Sequence, residues 1–170
     1  MTSEQYSDHY GTELTLRLVG IADRGPLDDG HALGEFLRRM VAAVGMRIIA
    51  GPAIGSEDGS PQRAGHSAVV ILAESHAAVH TYPGLGELFF NLFSCKPFAE
   101  ETVFEQFREF VGDFTVLERT SVRRGEDWPR AIERAVRHWH DVRLTPQVPS
   151  PRRPRSAPPR RTTGRAPRRS

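Results

Sequence analysis

The chain has 170 residues, and its 23 Lys+Arg against 21 Asp+Glu give a formal charge of +2. The charges are segregated: residues 146–170 carry eight arginines and no acid, while residues 1–145 carry fifteen basic side chains and all twenty-one acids, a charge of −6, so the pI of about 9.1 belongs to the tail and not to a basic, nucleic-acid-binding body. The single cysteine, Cys95, excludes an intrachain disulfide, and the longest apolar run, Ala68 to Ala73, is far below the ~20 residues that span a bilayer, which sets aside disulfide scaffolds and membrane-spanning helices.

The opening MTSEQYSDHYG has neither the basic nor the apolar stretch of a secretory leader, so a soluble cytoplasmic protein is expected. Residues 12–21, TELTLRLVGI, alternate polar and apolar side chains and predict a half-buried strand with Leu14, Leu16 and Leu18 on one face. After the turn-rich DRGPLDDG, Leu33, Phe36, Leu37, Met40 and Val44 recur at helical spacing; Asp28 or Asp29 can cap this helix and Gly45 can end it. MRIIAGPAI predicts a second strand and GSEDGSPQRAGH a polar loop. SAVVILAE predicts a third strand whose unbroken apolar run implies burial on both faces. HAAVHTY and ELFFNLFSC read as two further strands joined by Pro83-Gly84-Leu85-Gly86.

Downstream, Val103, Phe104, Phe107, Phe110 and Val111 share helix spacing within residues 100–112, and FTVLERTSVRR is strand-like. DWPRAIERAVRHWHDV predicts a last helix, capped by Asp127, with Ile132, Val136 and Trp139 inward. The order β-α-β-β-β-β-α-β-α predicts an α+β fold, a two-layer sandwich of a mostly antiparallel sheet with helices on one face. A sheet covered on one face only is expected to find a second copy of itself, hence a homodimer. Residues 1–145 suit one domain. Residues 146–170 hold seven of the thirteen prolines and no large apolar residue after Val148, so they cannot offset the entropy of ordering and are predicted to be a disordered Arg/Pro-rich tail. Its arginines lack interleaved aromatics, so no specific nucleic-acid function is expected of it.

Seven histidines raise a metal reading. His76 and His80 are four apart, but their neighbours predict a strand, on which such residues lie roughly 13 Å apart at ~3.3 Å per residue, and no acid or second cysteine completes a ligand set. No metal is expected. His138 and His140 read as surface residues of the last helix, and His9, His31 and His66 have no partner nameable from sequence. The denser cluster is Glu74-Ser75-His76, His80-Thr81-Tyr82-Pro83 and Phe93-Ser94-Cys95. By residue chemistry it is either a nucleophile-and-base set or a buried strand pair with small polar residues at its ends, and periodicity does not separate the two.

The stretch Gly65 to Pro97, GHSAVVILAESHAAVHTYPGLGELFFNLFSCKP, resembles the prokaryotic S-adenosylmethionine decarboxylase proenzymes: an apolar strand, (A/S)-E-S-H, an I-H-T-W-P-E segment and an F-T-C-G end, with the spacings from Ser75 to His80 and to Cys95 kept. The resemblance implies that fold and a chain that makes its own cofactor. The Ser75 hydroxyl would attack the Glu74 carbonyl, and the ester formed would eliminate, so that cleavage between Glu74 and Ser75 leaves a β chain, 1–74, and an α chain from residue 75 whose first residue is a pyruvoyl group. That group holds substrate as a Schiff base. The resemblance further assigns His80 and Ser67 to processing, His80 as base for the elimination and Ser67 as partner of the attacked carbonyl, and Cys95 to returning a proton to the substrate carbon after CO2 leaves.

Departures lie where substrate is recognised. Family W-P-E reads Tyr82-Pro83-Gly84, the aspartate four residues before the cysteine is Asn91, and Glu87 stands at a common aromatic position. Tyr82 and Glu87 are the candidate substrate-binding residues. The implied substrate is S-adenosylmethionine, decarboxylated to the aminopropyl donor for spermidine in polyamine biosynthesis. The alternatives are L-ornithine or L-arginine on the same fold, or a non-cleaving pseudoenzyme partner. All three substrates are small, cationic and of amino-acid type, so the −6 body favours none over another.

Overall fold

The computed structural model describes residues 9–128 together with 134, 135, 137 and 138. The chain divides into two units, 1–134 and 135–170, and the fold described here lies in the first. Most of the expected last helix, with Ile132, Val136 and Trp139, lies outside the described residues, as does the whole tail 146–170.

Among the described residues, six strands and two α-helices follow in chain order: β1 His9–Val19, α1 Gly30–Ala43, β2 Ile48–Glu57, β3 Gly65–Leu72, β4 Ser75–Tyr82, β5 Glu87–Ser94, α2 Glu100–Val111 and β6 Thr115–Glu126. They form one sheet in the order β2-β3-β4-β5-β1-β6, antiparallel at every pairing. Strands β2 to β5 follow one another as a meander because short turns join them. β1 closes against β5, and β6 pairs with the free side of β1.

Alternation decides which side chains meet the helices. Leu14, Leu16 and Leu18 of β1, Val70 and Leu72 of β3, Ala77 and Val79 of β4, and Leu88, Phe90 and Leu92 of β5 are buried with Leu33, Phe36 and Met40 of α1 and Val103 and Phe107 of α2. The aromatic seam runs from Phe90 through Phe107 (5.1 Å between centroids) to Phe36, which also stacks on Phe110 at 4.4 Å. The two-layer α+β sandwich expected from the pattern is the fold observed.

Of the two candidate caps for α1, Asp29 acts: its carboxylate accepts from the backbone N–H groups of His31 (2.8 Å) and Ala32 (3.0 Å). The Ala32 bond in particular holds the Asp29 carboxyl below its ordinary value, against a smaller opposing effect of desolvation. A depressed folded-state value means that the stabilisation is present above the ordinary carboxylate range and is lost as pH falls through the folded value. Asp29→Ala is therefore expected to lower the melting temperature near neutral pH and to have a shrinking effect in strong acid, which thermal unfolding of both proteins across that range checks.

β3 departs from expectation. Val69 and Ile71 are 41% and 53% exposed, so the strand is buried on one face only. Both helices pack on the same side of the sheet, and the unbroken apolar run instead makes the opposite, outer face apolar. Phe89 and Val122 extend that face across β5 and β6.

Candidate functional site

The turn from β3 into β4 carries Ala73 and Glu74 and delivers Ser75 as the first residue of β4. Ser75 has φ of +154°; Asp127 is the other non-glycine residue with positive φ among those described. Such backbone persists where surrounding bonds hold it. Here Ala73 N–H donates to the Arg47 carbonyl (2.8 Å), Arg47 N–H donates to the Glu74 carboxylate (3.1 Å), and Cys95 N–H donates to the Glu74 carbonyl oxygen (3.1 Å). The last of these places a donor where negative charge develops if the Glu74 carbonyl is attacked.

Cys95 reaches this position because Ser75 is paired with Ser94 across β4 and β5, so the next residue lies beside the Glu74–Ser75 bond. Its side chain is exposed, and a hollow of about 140 Å³ beside it is lined by Tyr10, Thr12, Ser94 and Phe98 among others. The Ser75 hydroxyl is 3.2 Å from His76 Nδ1, and His76 Nε2 is 3.1 Å from Asn91 Oδ1. Behind them stand Glu13 of β1 and Arg124 of β6, whose guanidinium also lies over the Phe93 ring at 4.3 Å.

Ser67 and His80 form a second group. They are partners in the β3–β4 register, and Ser67 Oγ is 2.7 Å from His80 Nδ1. With Tyr82, Glu57 and Arg63 they line an open cleft of about 810 Å³. His80 is five residues along β4 from Ser75, roughly 16 Å at ~3.3 Å per residue. Within one protomer, then, Ser67 does not meet the Glu74 carbonyl, whose partner is the Cys95 amide. The structure joins Ser75 to Cys95 and Ser67 to His80, but not the two pairs to each other.

Tyr82 packs edge-on against Phe89, with centroids 5.8 Å apart. Glu87 is engaged by Arg17 at 2.9 Å, and Arg17 also meets Glu118 at 3.2 Å. Donation to Glu87, followed by that to Glu118, raises the Arg17 guanidinium further above its already high value. Gly84, at the place of the family's carboxylate, faces the Pro61 carbonyl so closely that a Cβ there would collide with it, and its own carbonyl accepts from Arg24 at 2.9 Å. A side chain at that position has no room in this turn. Among the described residues, no three His, Cys, Asp or Glu side chains gather as metal ligands would, and no helix is long and apolar enough to cross a membrane.

A family model for S-adenosylmethionine decarboxylase matches residues 13–125. Two relatives named S-adenosylmethionine decarboxylase proenzyme, from Methanococcus vannielii and Methanococcus maripaludis, are 34% and 33% identical over 85 residues, half of this chain and 65% of each relative's length. The crystal structure of the adenosylmethionine decarboxylase from Aquifex aeolicus superposes with a TM-score of 0.57 at 21% identity, covering 70% of this chain and 93% of that one, which bears on the fold. The chain belongs to the S-adenosylmethionine decarboxylase family.

Glu13 and Arg124 were not identifiable as site residues from sequence. They lie 62 residues before and 49 after Ser75, and only the pairing of β1 with both β5 and β6 brings them near it.

Proposed function

We propose that this chain is a self-processing, pyruvoyl-dependent decarboxylase of S-adenosylmethionine, supplying the aminopropyl donor for spermidine in polyamine biosynthesis. The observation that carries this reading is the β3–β4 turn, where a serine with positive φ follows a carbonyl that already accepts a backbone N–H. These residues fit the cofactor: Ser75 would furnish it, and cleavage between Glu74 and Ser75 would leave chains 1–74 and 75–170. Such a group would supply an electron sink, through an imine with the substrate amine and the adjoining amide carbonyl, for the pair left behind as CO2 departs. Cys95, exposed beside Ser75, is then the proton donor to the substrate carbon.

The pairing of Ser67 with His80 roughly 16 Å from Ser75 supports a homodimer in which each site is shared. Two outer faces packed about a two-fold axis would cover Val69, Ile71 and Phe89 and carry one protomer's Ser67 and His80 toward its partner's Ser75. There His80 would serve as base for the elimination, with Ser67 holding its ring, and Tyr82 would border the substrate. The net charge of the −6 body favours a cationic substrate. The closed space at Gly84 favours a second reading, L-ornithine or L-arginine, since it removes a carboxylate otherwise available to a nucleoside.

Intact mass of the purified protein should show two chains divided between Glu74 and Ser75, the larger one lacking a free amino terminus. A single 19.0 kDa chain would favour a non-cleaving partner protein instead. CO2 release should follow with S-adenosylmethionine; release from ornithine or arginine alone would replace the substrate and keep the chemistry. Cys95→Ala is expected to permit cleavage, because its backbone N–H is retained, while slowing CO2-coupled turnover about 10²-fold. Normal turnover in that variant would remove the thiol from its role.

A further inference from the structure

Ser75 Oγ ends a line of side chains drawn from four strands, and the protonation along that line follows from its far end. The Glu13 carboxylate can only accept, and its Oε2 accepts from Arg124 Nη1 at 3.1 Å. The Asn91 atom 2.9 Å from Glu13 Oε1 is therefore the amide nitrogen, Nδ2, acting as donor. That orientation turns Asn91 Oδ1 toward His76 Nε2 at 3.1 Å, and because Oδ1 accepts, the single ring proton of the neutral imidazole sits on Nε2. Nδ1 keeps its lone pair, and the Ser75 hydroxyl donates to it across 3.2 Å. The ring is held edge-on to Phe93, with centroids 6.0 Å apart.

We propose that His76 is the catalytic base for the first step of self-processing, with Asn91 and Glu13 as positioning residues; this rests on the reading of Ser75 as the pyruvoyl precursor. Ser75 Oγ bonds to the Glu74 carbonyl carbon while its proton passes to His76 Nδ1. The carbonyl electron pair moves onto the oxygen that faces Cys95 N–H. As that pair returns, the bond from Glu74 carbon to Ser75 nitrogen breaks, and the proton on Nδ1 goes to the departing nitrogen. An ester and an amine replace the amide, with no atom or electron gained or lost. The two imidazoles of β4 then have separate tasks: His76 forms the ester, and His80 acts on the later elimination.

The test follows the full-length precursor by intact mass from the time of synthesis, with and without hydroxylamine, which splits esters. His76→Ala is expected to slow the appearance of two chains about 10²-fold and to give no hydroxylamine-dependent fragment, since little ester forms. His80→Ala is expected to accumulate the ester and to be split by hydroxylamine between residues 74 and 75. Added imidazole should speed cleavage of His76→Ala, a response that a purely structural side chain would not give. If His76→Ala does not fold, His76→Gln supplies the test: it keeps polar contact with Asn91 but cannot take up the proton. Cleavage of either variant at the wild-type rate, a hydroxylamine-sensitive His76→Ala precursor, or a folded His76→Ala precursor that imidazole leaves unchanged would overturn the proposal while self-processing stood. A wild-type chain that never divides would instead overturn the reading on which it rests.

Discussion

Ser75→Ala is expected to yield one chain of 19.0 kDa that never divides and releases no CO2 from any of the three substrates. In the proposed self-processing the effect is all-or-none, because there the hydroxyl would be both the nucleophile and the source of the cofactor, so no other group could make good its loss. Without the hydroxyl, the Glu74–Ser75 link is an ordinary amide: the Cys95 N–H still polarises its carbonyl, but no oxygen stands beside it to attack. The fold should not be disturbed, since Ser75 lies at the edge of the core and its hydroxyl contacts His76 alone among the hydrogen bonds seen. A Ser75→Ala protein that still separates into two chains would show that cleavage comes from a contaminating protease, and the self-processing reading would fall.

The second large effect is expected from mixing variants. In the proposed mechanism Ser75→Ala alone could not form the cofactor, and His80→Ala alone would stall at elimination. If sites are shared between protomers, a dimer of one of each has one site with intact Ser75 and a partner's intact His80, and one site lacking both. Mixed dimers isolated through two different affinity tags should then regain about half of the wild-type turnover per dimer, and the α chain should come only from the His80→Ala subunit. If sites were complete within a protomer, every site in the mixture would lack one group and turnover would stay at background. The distance within one protomer favours the first outcome: roughly 16 Å of strand separates the two residues, and a hydrogen bond needs heavy atoms within about 3.2 Å. Background turnover in a verified mixed dimer would remove the shared site.

Much of this molecule is written locally. Leu14, Leu16 and Leu18 announce β1 by a period of two, and Phe36, Leu37 and Met40 announce α1 by a period near 3.6, because each pattern depends only on which side a neighbour's Cβ points. The order of elements from β1 to β6, the α+β sandwich, and the candidacy of Ser75 and Cys95 were legible in the same way, the last two through a motif contained in thirty-odd consecutive residues. The side on which α1 and α2 would pack was not, which is why Val69 and Ile71 were expected to be buried and are exposed. Helices can cover either face of an apolar strand, and only the connections of the whole chain choose one.

The site divides along the same line. The family resemblance grouped a serine, two histidines and a thiol, but spacing along the chain does not say which atoms touch. The sheet decided that the backbone N–H of Cys95, and not the Ser67 hydroxyl, meets the Glu74 carbonyl within the protomer. The pairing of β1 with both β5 and β6 brought Glu13 and Arg124 behind Asn91, and so set which nitrogen of His76 carries the proton. Sequence determined the residue types and their local period; the hydrogen bonds that give each its chemical state cross between strands far apart in the chain, and only the assembled sheet could settle them.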